Sequence, residues 1–254
     1  MQVEIWSDVV CPWCAVGRAR FQHALGAFDH ADEVEVRWRS FELDPSAPRE
    51  REVSQRDHLA AKYGRTPDEA QAMLDQMTTT AAEVGLEFRF DRARAGNTFD
   101  AHRLIHLAYE RGGPALQDAV KGQLLTGYLR DGQPIGDPDA LTRLAVSAGL
   151  DEDEVTEVLR GEKFAAEVRS DEDQAREFGI SGVPFFVIDR RFAVSGAQPP
   201  EVLLGALQQA WSQRSPLEMV GAPRSQADDE HGTNTAAGHD HATGDACADG
   251  SCAI

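Results

Sequence analysis

Four cysteines carry most of the chemistry that this 254-residue sequence offers, and they fall as two close pairs, Cys11/Cys14 and Cys247/Cys252. The first pair is a C-x-x-C, Cys11-Pro12-Trp13-Cys14. A dithiol can cycle with a disulfide when one sulfur ionises and the other lies close enough to displace it. The start of a helix meets both conditions. Free backbone N–H groups and the helix dipole stabilise a thiolate at the N-cap, and each unit of pKa lowering is worth about 1.4 kcal/mol. A cysteine three residues on lies one turn inward on the same face. Cys11 is then the nucleophile and Cys14 the resolving thiol, and a stabilised thiolate makes the disulfide more oxidising. The competing readings are an inert disulfide or half of a zinc site, although two cysteines do not complete tetrahedral zinc.

The tail pair is Cys247-Ala-Asp-Gly-Ser-Cys252, with a turn-favouring Asp-Gly between the thiols. A flexible tether from Pro216 to Cys247 has an r.m.s. span of roughly 30 Å, enough to bring these thiols to Cys11 at about millimolar local concentration. A redox relay through Cys247 and Cys252 is one reading. Metal binding with His231, His239 and His241 is another, and no coupled role is the third. A Cys247→Ser/Cys252→Ser variant with unchanged potential and turnover would remove the relay.

The elements around Cys11 must build a strand–helix junction. Val3–Val10 is a short apolar run rich in β-branched residues and reads as a buried strand. Pro12 suits a first helical position, and Val16, Ala19, Leu25 and Phe28 give a stripe of helical period. Val34–Leu43 alternates, with Val34, Val36 and Trp38 on one face and Glu35, Arg37 and Arg39 on the other, a half-covered strand. About 130 residues of helix signal follow Pro45. Thr66-Pro67-Asp68-Glu69 is a capping box opening a helix to about Val84. Helices are expected near 98–111 and 114–129. Asp137-Pro138 starts another, and Asp151–Glu154 offers a second capping box. Strand signal returns at Val183–Ile188, turns at Asp189–Arg191 and continues through Phe192–Val194. Pro199-Pro200 opens a last helix through Leu203, Leu207 and Trp211. The order is βαβ, a helical block, then ββα. The expected fold class is α/β, with residues 1–44 and 180–215 forming a discontinuous thioredoxin-like domain. Residues 45–179 form an all-helical insertion.

Composition narrows the partners. The formal charge is −18, which repels phosphate backbones and anionic lipid, so neither nucleic acid nor membrane is expected. No run of about 20 apolar residues exists to span a bilayer. The front shows no basic-then-apolar leader pattern, and the expected compartment is the cytoplasm. Residues 221–254 contain no Val, Leu, Met or aromatic residue and carry a net −5. Residues 216–254 therefore read as a disordered, acidic, His-containing tail. Acids at helix starts have a local cause in the helix dipole.

The CPWC after EIWSDVV, the strand Ser181-Gly-Val-Pro-Phe-Phe-Val-Ile188 and the large helical insertion together resemble the DsbA family of the thioredoxin superfamily. The segment Gly96-Asn97-Thr98-Phe99-Asp100-Ala101-His102-Arg103-Leu104 is similar to its FrnE-like branch, thiol–disulfide oxidoreductases linked to polyketide biosynthesis. The resemblance implies that Cys11 attacks, that Cys14 resolves, and that Val183-Pro184 is a cis pair opposite them. Pro12, Trp13, Val183 and Pro184 would then bind substrate, the proline strand holding an extended chain by strand addition. Substrate proteins or small-molecule disulfides and thiols are the implied partners, with no cofactor; monomer and homodimer are equally compatible. Trp13 stands where the best-known periplasmic members carry His, so their strongly oxidising character does not transfer. Asn97 and His102 are implied to line the cleft. Asp8 reads first as a strand-end cap in water and second as a proton acceptor for Cys14. His102 and His106 lack a third metal ligand. The alternatives are a Cys₄ metal site from Cys11, Cys14, Cys247 and Cys252, and a glutathione-dependent isomerase or transferase of the same fold. The second is suggested by Asn97 and Arg103 but opposed by the intact Cys14.

Overall fold

The computed structural model describes residues 1–214. Cys247, Cys252, His231, His239 and His241 lie outside the described residues. Three residues separate the end of β1 (Gln2–Ser7) from the first cysteine, and α1 (Pro12–Gly26) begins directly after it. β2 (Glu35–Ser40) pairs parallel to β1, with Gln2 opposite Glu35 and Ser7 opposite Ser40. Six helices follow: α2 (Gln55–Tyr63), α3 (Pro67–Glu83), α4 (Phe99–Leu129), α5 (Pro138–Ser147), α6 (Glu152–Arg160) and α7 (Ala165–Glu177). β3 (Phe185–Ile188) and β4 (Phe192–Ser195) form a hairpin, and α8 (Pro200–Ser212) closes the order. The sheet runs β2-β1-β3-β4, with β3 antiparallel to β1. This is the thioredoxin-like βαβ…ββα order with a large helical insertion, the α/β class expected.

Both faces of the sheet are covered, by alternate side chains of the same strands. Val3 and Ile5 of β1 join Val16, Phe21, Leu104, Leu124 and Leu207 in the main core. Trp6, pointing the other way, packs with Ala175, Ile180 and Val187. The Arg39 face of β2 is covered too. α7 supplies Asp171, which ion-pairs with Arg39 at 2.9 Å, so β2 is not the half-covered strand its alternation suggested.

Local signals act as expected at several helix starts. Thr66 and Glu69 form the reciprocal capping box of α3. Asp137 caps α5. Asp151 accepts from the Asp153 and Glu154 amides without a reciprocal bond, a cap rather than a box. Gly113, at φ 62 and ψ −154, breaks α4 just before Pro114. That backbone conformation is open to glycine and closed to β-carbon residues. The two halves of α4 match the helices expected near 98–111 and 114–129.

Candidate active site

Cys11 is the N-cap of α1. Its backbone is extended (φ −90, ψ 111), and its Sγ accepts the Cys14 amide at 3.2 Å. The absence of an N–H on Pro12 leaves the helix start free for this geometry. Both thiols are free. Cys11 is 4% exposed and Cys14 0%, so the outer sulfur is the one that a second molecule can touch. Cys11 Sγ also lies 3.6 Å from the Val183 carbonyl oxygen. The Val183–Pro184 peptide bond is cis. Pro184 is buried against α1, where a β-carbon on Gly17 would come within 2.8 Å of the proline ring. Gly17 thus permits the close approach of this loop to the cysteine helix.

Under the sulfurs lies a buried polar floor. Asp8 Oδ1 accepts its neighbour Val9 N–H at 2.7 Å, and Oδ2 accepts Leu43 N–H at 2.8 Å. His102 Nε2 lies 3.3 Å from Asp8 Oδ1. Burial opposes the Asp8 charge, but His102, the Leu43 amide and Lys121 hold its carboxyl below the ordinary range. Burial pushes the His102 imidazole down against the pull of Asp8. Asp8 is therefore no strand cap in water; it is sealed beneath the cysteine loop.

The two thiols titrate as a unit. Burial and the neighbouring Cys14 sulfur hold Cys11 protonated in this closed arrangement. Burial also opposes ionisation of Cys14, but Cys11, Lys121 and Ser7 together draw it below the ordinary thiol range. The buried Lys121 beside this floor was invisible to a reading that considered only the helix N-terminus.

A cleft of about 420 Å³ opens over Cys11. Pro12, Trp13 and Val183 line it, together with Leu43, Tyr63 and Met73. Pro184 does not line it directly. Trp13 is 47% exposed at its mouth, and Leu43, Tyr63 and Met73 are exposed as well. Large exposed apolar side chains gathered around one concavity mark a binding surface.

Other residues singled out from sequence are engaged elsewhere. Asn97 Oδ1 accepts Phe99 N–H at 3.0 Å in the turn before α4, and its amide donates to Pro45 O at 3.3 Å. Arg103 ties α4 to α6, donating to Lys163 O at 2.8 Å and to the carbonyls of Val158 and Gly161. Neither lines the cleft, and His102 lies under Asp8 rather than on the cleft wall, contrary to expectation. His106 lies 3.1 Å from both Ser40 Oγ and Asp171 Oδ2. Among the described residues no group of three or more potential ligands could hold a metal ion. Lys121 is the site residue that sequence reasoning missed.

A dithiol at a strand–helix junction of a thioredoxin-like fold defines the class, a thiol–disulfide oxidoreductase. The chain belongs to the DSBA-like thioredoxin domain family, whose family model matches residues 2–208. It is 48% identical to a probable DsbA oxidoreductase from Streptomyces coelicolor, at a TM-score of 0.82, covering 87% of this chain and 94% of that one. The Bacillus subtilis protein YwbO is 30% identical over 203 residues, 74% of this chain and 86% of YwbO. The cytosolic disulfide reductase DsbM from Pseudomonas aeruginosa shares the fold at 16% identity and a TM-score of 0.60, covering 84% of this chain and all of that one. No helix among the described residues is long and apolar enough to cross a membrane.

Proposed function

We propose that the enzyme exchanges disulfides by attack of Cys11 and resolution by Cys14. The Cys11 thiolate attacks one sulfur of a substrate disulfide, forming a mixed disulfide and releasing the other sulfur as a thiolate. Cys14 then attacks Cys11 Sγ, releasing the second substrate thiolate and leaving the Cys11–Cys14 disulfide. Run backwards, the same steps oxidise a substrate dithiol. The observation that carries this reading is the difference in access: Cys11 touches the cleft and Cys14 is sealed behind it.

Once a substrate sulfur separates the pair, the helix N-terminus and the Cys14 N–H, which donates to Cys11 Sγ at 3.2 Å, favour an anionic Cys11. Trp13, Leu43 and Met73 give an apolar seat for a peptide segment or a small apolar disulfide. Val183, adjacent to Cys11, offers its backbone for strand-like pairing with a substrate chain. We assign residues 1–44 and 180–215 to the catalytic domain and 45–179 to a helical domain that walls the cleft. A cytoplasmic site of action is in keeping with DsbM, a cytosolic disulfide reductase of the same fold.

The test is reduction of insulin disulfides by wild type and Cys11→Ser with glutathione as electron donor. Turnover by wild type and its loss in the variant are expected. Equal rates in the two proteins would remove the dithiol from the mechanism.

A further inference from the structure

We propose that Arg51 is the specificity residue of the cleft, binding a carboxylate of the substrate, so that small disulfides carrying an acid on an apolar body are preferred to neutral ones. The inference rests on the reading of Cys11 as the attacking sulfur and names the substrate class of that same site.

Arg51 sits between β2 and α2, in a segment with no helix or strand of its own. Its backbone is pinned all the same. Arg51 N–H donates to Ala95 O at 2.9 Å, and Asn97 N–H donates to Pro48 O at 2.9 Å. Gly96 and Gly136 lie against the Arg49 carbonyl, where a β-carbon on either would collide with the oxygen. The Gly96-Asn97 segment thus fixes the stretch of chain that carries Arg51.

The side chain is held as firmly. Nη2 donates to Asp44 Oδ2 at 2.8 Å, and Nη1 donates to His58 Nε2 at 2.8 Å. Burial, Arg51 and Lys62 hold His58 below its ordinary range, in keeping with an imidazole that accepts from a guanidinium. A guanidinium has five N–H donors, and Asp44 and His58 are the side-chain partners of Arg51 among the described residues. Asp44 is itself shared, its Oδ1 accepting the Ser46 amide and hydroxyl at 3.2 and 2.7 Å. A planar cation held at two corners with donors to spare is suited to a carboxylate.

Charge points the same way. Arg51 and Lys62 line the cleft against Asp44 on its wall and Asp8 sealed in its floor. Residues 49–65 hold five Lys and Arg against three Asp and Glu, a net +2 in a chain of net −18. An acid repelled by most of the surface meets a locally positive wall here. The rest of the lining sets the ligand's body. Leu59, Met73 and Phe90 are apolar, and buried Leu74, Met77 and Tyr128 close the inner side. Arg51 and Cys11 line this one space of about 420 Å³, so a single small molecule can touch both.

The carboxylate takes no part in the exchange. Cys11 Sγ bonds one substrate sulfur as the substrate S–S bond breaks, and the electron pair leaves on the other sulfur. Cys14 then displaces the bound sulfur as a second thiolate, and an added dithiol reduces the Cys11–Cys14 disulfide.

The experiment measures kcat/KM of the full chain for the disulfide of para-mercaptophenylacetate and for that of its neutral amide. Dithiothreitol is the reductant, and uncatalysed rates are subtracted. Wild type is expected to favour the acid by at least about tenfold, the worth of a charge-assisted hydrogen bond. Arg51→Gln should lower kcat/KM for the acid about tenfold more than for the amide, and Arg51→Lys should retain part of the preference. A matched pair of peptide disulfides, with Asp or Asn beside a Phe, should be exchanged without such a preference. Equal rates on acid and amide in wild type, or a preference confined to the peptides, overturn the proposal and leave the redox pair intact. Turnover of none of the four sinks the redox-pair reading itself. The wild-type comparison stands even if a variant fails to fold.

Discussion

Two clusters of buried charge lie along the same strand and are built on opposite plans. At mid-strand, Glu4 is bracketed by Arg39 and Arg190, with Nε–O distances of 2.9 Å to each. Arg39 reaches on to Asp171 at 2.9 Å, and Asp171 also takes the Ser40 amide at 2.9 Å. Every carboxylate there meets a guanidinium, and β1, β2 and α7 are tied together. At the end of the strand, Asp8 is satisfied chiefly by neutral donors, and among the described residues no carboxylate ion-pairs with the buried Lys121. Matched charges hold elements in place. A buried cation left without a matched anion is available to a group whose charge changes in a reaction.

The largest expected effect breaks the matched cluster. Arg39→Met leaves Glu4 and Asp171 buried with too little counter-charge and should cost about 3–5 kcal/mol in denaturant unfolding. The equilibrium of the Cys11/Cys14 pair with glutathione should not change. A shift in that equilibrium as large as the stability loss would show the clusters to be one unit.

Acid sharpens the same contrast. Burial opposes both charges, yet Arg190 and Arg39 hold Glu4, and His106, Arg39 and the Ser40 amide hold Asp171, below the usual carboxylate range. Carboxylates depressed in the folded state contribute stability above their unfolded values, and it is lost as pH falls through the folded ones. Through these groups wild type should lose stability as pH falls below about 4, and the deficit of Arg39→Met relative to wild type should shrink over the same range as its unpaired carboxylates protonate. A deficit that stays constant down to acid pH would contradict the pairing.

Glu42 stands between the two plans. Arg169 Nη1 reaches it and Glu172 at 2.6 Å each, and Glu42 Oε1 has no partner. Burial pushes Glu42 up to about 7 against Arg169, with Glu172 adding to the push. A raised carboxyl contributes stability that is present at low pH and lost as pH rises through the folded value. Glu42→Gln should flatten the stability profile between 4.5 and about 7, gaining about 1 kcal/mol on the alkaline side. A profile as steep as that of wild type would place the titration elsewhere.

The smallest stability effect is at the cleft mouth. Trp13→Ala removes a half-exposed side chain and should change stability by no more than about 0.5 kcal/mol. It should raise KM for a peptide disulfide more than it lowers kcat. An unchanged KM would make Trp13 mere covering of the helix start.

What was legible in the sequence follows from range. The Cys11–Cys14 junction depends on a strand, a proline and a helix that are contiguous, and the pattern declared it. The caps at Thr66 and Asp137 are equally local. Lys121 joins the site across more than a hundred residues, so its burial had no local sign. Asp8 looked like a strand end in water because Leu43 N–H and His102, which seal it, arrive from distant segments. The Arg39 face of β2 read as exposed because arginine usually is. α2 escaped notice because none of its residues is buried in the core; its Leu59 and Tyr63 face the cleft instead.

The division of labour between the two sulfurs is tested most directly by trapping. Cys14→Ser, challenged with a peptide disulfide and digested for mass mapping, should accumulate substrate on Cys11. Cys11→Ser, treated alike, should carry none on Cys14. Substrate recovered on Cys14, or none on Cys11, would contradict the account.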